Sequence, residues 1–69
     1  MTKYILAEYS CYSRFKVPTE IDLENVNWWI KHNILHIELA DGKILEIEPD
    51  EDLEIDAKYP TNTEIVEAE

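Results

Sequence analysis

The sequence holds one glycine, one cysteine and one phenylalanine, and only six lysines and arginines against sixteen aspartates and glutamates. The shortages of glycine, cysteine and cations each close off a class of function. Gly42, the lone glycine, leaves no glycine-rich phosphate loop and little of the adaptable backbone from which 69 residues would build a deep catalytic cleft. Cys11, the lone cysteine, excludes an internal disulfide and a thiol cluster for a metal, and it fits a reducing compartment. No apolar run approaches the roughly 18 residues that suggest a membrane span. The opening MTKYILAEYS lacks the apolar stretch and small-residue cleavage pattern of a secretory signal. The expected location is the cytoplasm, with no membrane partner.

The shortage of cations has the largest consequence. A net charge of −10 repels nucleic-acid phosphates and anionic headgroups, so direct binding to nucleic acid is not expected. The charge is also uneven. Residues 1–18 carry Lys3, Arg14 and Lys16 against Glu8, a net +2. Residues 19–43 carry five acids against Lys31 and Lys43, a net −3, and residues 44–69 carry ten acids against Lys58, a net −9. The complementary partner is a basic protein surface.

What the chain has in quantity is alternation of period two, the signature of half-buried strands. From Lys3 to Val17 the odd positions read Ile5, Ala7, Tyr9, Cys11, Ser13, Phe15 and Val17, and Pro18 ends the run. This is one long N-terminal strand or two strands joined by a bend near Ser10 to Ser13. Further on, His32-Asn33 reads as a two-residue hairpin turn, since asparagine tolerates the left-handed backbone such a turn needs. That turn sets Val26, Trp28 and Ile30 opposite Leu39, Ile37 and Leu35 on one face. A three-residue loop, Ala40-Asp41-Gly42, then sets Ile37 opposite Leu45 and Leu35 opposite Ile47 on the same face. The alternative two-residue Asp41-Gly42 turn would pair Ile37 with Glu46, a poorer burial pattern.

Two independent turns thus agree on a three-stranded meander over about residues 26–48. The expected fold is mainly β: one small domain over residues 1–69, an antiparallel sheet or partly open barrel built around that meander. The alternative is an α+β chain with a helix over about residues 19–31, capped by Thr19 with Glu20 and Asp22 in its first turn. Past Pro49, Leu53, Ile55 and Ala57 are compatible with a short further strand. Residues 63–69 read as an edge strand or a frayed tail.

Two constellations stand out. The first is the row Glu46, Glu48, Asp50, Asp52, Glu54 and Asp56, an acid at every even position from Glu46 to Asp56. Asp50-x-Asp52-x-Glu54 imitates the start of a calcium loop, but Ile55 stands where glycine is needed and Thr61 where the bidentate glutamate is needed. Residues two apart on a strand lie about 6.6–6.8 Å apart, whereas one DNA strand carries a phosphate about every 3.4 Å. The row therefore has about half the linear charge density of one DNA strand. It reads as a partner-binding surface or as the solvated side of a strand.

The second is a cross-strand row of Trp29, His36 and Glu46 on the outer face of the meander, in which Trp29 and His36 form an aromatic partner-binding patch or lie beneath a neighbouring segment. His32 and His36 have helical metal-ligand spacing, but on strands joined at a turn the two imidazoles diverge. No metal, no cofactor and no catalytic residue is expected, and the chain is not expected to be an enzyme. The first functional expectation is a small acidic interaction module that occupies a basic surface, such as that of a nucleic-acid-binding protein, in the manner of phage or viral DNA mimics. The second is a structural or assembly protein, a homodimer or accessory subunit joined through the Trp29 face or a sheet edge.

Overall fold

The computed structural model describes residues 2–68, which form six strands and, among the described residues, no helix. β1 (Thr2–Glu8) and β2 (Tyr12–Val17) make an antiparallel hairpin, so the N-terminal alternation is two strands rather than one. Their register pairs Glu8 with Tyr12 and leaves Tyr9, Ser10 and Cys11 as the connection. Cys11, which the alternation of odd positions from Ile5 to Val17 would bury on the apolar face as a small structural side chain, is only half-buried at this bend.

β3 (Asn27–Lys31), β4 (Ile34–Glu38) and β5 (Ile44–Ile47) form the expected meander. Lys31 pairs with Ile34, Ile30 with Leu35 and Trp28 with Ile37, and Ile37 pairs with Leu45 and Leu35 with Ile47. Both turns have the predicted chemistry. His32 and Asn33 have φ of 53° and 58°, the pair of left-handed residues that a tight hairpin of matching twist requires. Gly42 has φ of 87°, and the loop closes with Gly42 N–H donating to the Leu39 carbonyl (2.9 Å) and Leu39 N–H to the Lys43 carbonyl (2.8 Å).

The helix over about residues 19–31 is not formed. Two separate turns replace it: Ile21 N–H donates to the Pro18 carbonyl and Asn25 N–H to the Asp22 carbonyl, each at 3.1 Å. The Asp22 carboxylate also accepts from the Glu24 N–H (3.1 Å) and from the Asn25 side-chain amide, so the side chain competes with helical hydrogen bonding. Trp28 and Ile30, two apart, then take the inner face of β3. Leu53, Ile55 and Ala57 do not make the further strand either: residues 48–61 are irregular. Pro49 has no N–H for a ladder.

That irregular segment returns the chain to the first sheet, where β6 (Asn62–Ala68) pairs antiparallel with β1 to give the order β2-β1-β6. Of the two expectations for residues 63–69, an edge strand or a frayed tail, the described residues form the edge strand. The two sheets share one core. Ile5, Ala7, Phe15 and Val17 come from the first sheet and Ile30, Leu35 and Ile37 from the second, with Leu23 supplied by the loop between them. Overall extents of 32 × 29 × 18 Å leave room for two layers in the thin direction. Beside β2, the Asp50 N–H donates to the Arg14 carbonyl (2.8 Å), which ties the chain leaving β5 to the edge of the first sheet.

Candidate functional site

The alternation that begins in β5 outlasts the strand. Glu46, Glu48, Asp50, Asp52, Glu54 and Asp56 are all exposed, while Leu45, Ile47, Pro49, Leu53 and Ile55 are half-buried. Leucine and isoleucine anchoring therefore orients the acids even where no ladder holds the backbone. Hydrophobic burial of alternate side chains suffices for this, since each anchor favours the inward position independently of any partner strand.

The six carboxylates do not form one uniform row. Glu46 lies on β5 facing outward, and its Oε2 is 3.9 Å from Nε2 of His36. Asp50 is turned to the other sheet, where its Oδ2 accepts from Arg14 Nε at 2.8 Å. Glu48, Asp52, Glu54 and Asp56 have no ion pair among the described residues. Four clustered like charges without counterions repel one another and raise the local negative potential, which a cationic partner would relieve.

The aromatic patch forms as the register demands. Trp29 lies opposite His36, and His36 lies opposite Glu46. The Trp29 and His36 rings are parallel within 2° with centroids 5.4 Å apart, an offset stack. Trp29 remains 39 % exposed, so neither the N-terminal strand nor the C-terminal segment covers it. The His36 side chain is 18 % exposed, and its Nδ1 is buried without a hydrogen-bond partner. Ile44, beside this row on β5, is 44 % exposed. Glu46 belongs to both constellations, so the aromatic patch and the acidic segment meet at one residue.

His32 is exposed in its turn, whereas His36 is half-buried in β4. Among the described residues no group of three or more His, Cys, Asp or Glu side chains could hold a metal ion.

Two features of the site carry no signal in the sequence. Arg14 is 36 positions from the Asp50 it pairs with, and only the packing of β2 beside the exit from β5 brings them together. The His32–Asn33 turn was legible as a turn, but not as one wall of a cleft. His32 N–H donates to the Lys58 carbonyl (2.8 Å), so the acidic segment folds back across the turn. Between them is an open cleft of about 350 Å³ bordered by Asn33, Ile34, Glu48 and Asp52. No protein family, curated protein or solved structure matches the chain.

Proposed function

We propose that this protein is a small, non-enzymatic acidic module that binds a basic surface on a protein partner. The observation that carries the reading is the persistence of outward-facing acids from Glu46 to Asp56 beyond the end of β5, on an irregular segment anchored by Leu53 and Ile55. A solubilising charge needs no such anchoring. A fixed series of carboxylates gives a partner charges at set positions, which raises the association rate and favours complementary surfaces. In its sharpest form the partner is a nucleic-acid-binding protein and the acidic segment competes with DNA. The lone Cys11 supports action in the cytoplasm.

The test is a pull-down from the source cells at low salt, followed by titration of the recovered protein. A one-to-one complex with a basic protein, weakening steeply with salt and displaced by DNA, is the expected result. Recovery of partners with no basic surface, or binding indifferent to salt, would overturn it.

A second reading has its own observation. Trp29, Ile44 and Ile65 are large apolar side chains at 39–44 % exposure, the first two on the outer face of the meander and the last on the edge strand β6. The accessible surface of 4967 Å² exceeds the roughly 4,500 Å² of a typical compact monomer of 8.2 kDa. Both facts favour an assembly subunit that completes its burial against another copy. Light scattering at high concentration tests it, and a monomeric mass would overturn it.

A further inference from the structure

The cleft between the His32–Asn33 turn and the acidic segment has a division of labour that the exposed ridge lacks. One part of its lining is apolar: Ile34 from β4, with Pro49, Leu53 and Ile55 from the irregular segment. The other part is polar, with Glu48 and Asp52 free of ion pairs among the described residues. Asn33 borders the same space, is only 8 % exposed, and its Oδ1 has no donor. That oxygen is closed to solvent, so the acceptors open to an occupant of the cleft are the exposed Glu48 and Asp52 carboxylates.

The chemistry of the lining selects among occupants. An anion is repelled by Glu48 and Asp52. A divalent metal needs a compact set of oxygen or nitrogen ligands, and no cluster of three such acidic, His or Cys side chains exists among the described residues. A purely apolar group would bury the two carboxylates beside it without compensation. What remains is a group with an apolar stem and a cationic, many-donor head.

From this we infer that the cleft receives a basic side chain of the partner protein, with arginine as the best fit. Its methylene stem lies along Leu53, Ile55 and Ile34, and its planar head donates to Asp52 and Glu48. Arginine suits the place better than lysine because the guanidinium offers five donors in a fixed fork and gives up its hydration more readily. The cleft thereby adds side-chain specificity to what the ridge supplies as bulk charge. The inference rests on the reading of the protein as a binder of basic surfaces.

The experiment is a two-dimensional amide NMR titration of the full chain with a blocked glycine pentapeptide carrying one central arginine. The controls are the same peptide with citrulline or with lysine in its place. Saturable shifts at Asn33, Ile34, Asp52 and Leu53 with the arginine peptide, weaker with lysine and absent with citrulline, are expected. The E48Q/D52N double variant should lower that affinity by about tenfold or more, whereas E54Q/D56N, of equal charge, should leave it nearly unchanged. Equal losses in the two double variants, or shifts spread evenly along the acidic segment, would overturn the cleft. Such a result would leave the proposed acidic module standing, because an even response is still binding through charge. Failure of the module itself would be read separately, as salt-indifferent behaviour of the recovered partner.

Discussion

Arg14 and Asp50 are joined at two levels: Arg14 Nε donates to Asp50 Oδ2 at 2.8 Å, and the Asp50 N–H donates to the Arg14 carbonyl at 2.8 Å. The side chains are 55 % and 32 % exposed, so water screens the ion pair and it contributes less than about 1 kcal/mol. The backbone bond survives any change at the side chain other than proline. Asp50→Asn is therefore expected to change stability by under about 1 kcal/mol in urea unfolding. The same substitution should weaken binding to a basic partner less than Asp52→Asn does, because Asp50 already has a counterion. An Asp50→Asn loss equal to that of Asp52→Asn would mean that the ridge acts through net charge alone.

Tyr9 gives the fold an alkaline limit. Its hydroxyl is buried without a partner, and burial, with a smaller contribution from the neighbouring Cys11, pushes its pKa above the usual 10.0. The unfolded chain thus releases this proton at lower pH than the folded one. Below about pH 10 both states hold the proton and the contribution is constant; above it the unfolded state binds fewer protons and stability falls. Tyr9→Phe removes both this loss and an unsatisfied hydroxyl. Urea midpoints measured near pH 8 and near pH 11 should differ less for Tyr9→Phe than for the parent. The variant should also be as stable as the parent at the lower pH, or more so by up to about 1 kcal/mol.

The meander was legible because two turn signals and one apolar face had to agree. His32-Asn33 and Ala40-Asp41-Gly42 each fix a register, and only one combination puts Trp28, Ile30, Leu35, Ile37, Leu45 and Ile47 on the same side. β6 was less legible, because Asn62–Ala68 has little apolar content and its pairing is dictated by the open side of β1, far upstream in a register that runs from Thr2 opposite Ala68 to Glu8 opposite Asn62. The helix alternative failed on a local effect, the Asp22 carboxylate drawing nearby donors into turns. At the site, the alternating exposure of the acids and the Trp29–His36–Glu46 row followed from periodicity. The Arg14 contact and the cleft depend on segments far apart in sequence, which periodicity does not bring together.

Gly42 isolates the energetics of the second turn. Its φ of 87° is in the left-handed region, and a Cβ added there would meet nothing within 4 Å. The penalty for alanine is therefore backbone strain without a clash, about 1–2 kcal/mol. Asparagine tolerates the conformation better. Gly42→Ala is expected to lower the melting temperature by about 4–8 °C for each kcal/mol lost in a domain of this size, and Gly42→Asn by less. A larger fall for asparagine than for alanine would mean that contact, not conformation, governs this loop.

The adjacent tryptophans separate fold from surface most sharply, because alternation sends them to opposite faces of β3. Trp28 packs against the core and pairs with the buried Ile37; Trp29 stands on the outer face, 39 % exposed and stacked on His36. Removing a core aromatic is unfavourable by about 3–5 kcal/mol when it is fully buried, and Trp28, partly buried, should approach the lower end. Loss of the Trp29 stack should amount to about 0.5–1.5 kcal/mol beyond the modest area it covers. A 69-residue domain has on the order of 3–10 kcal/mol in total. Trp28→Ala is therefore expected to unfold a measurable fraction of the protein in circular dichroism, while Trp29→Ala keeps the β-sheet spectrum and a cooperative melt. If the outer face joins two copies, Trp29→Ala alone converts a dimer to a folded monomer in light scattering. Equal damage to the fold from both substitutions would show that Trp29 is structural and remove the aromatic patch from the list of binding surfaces.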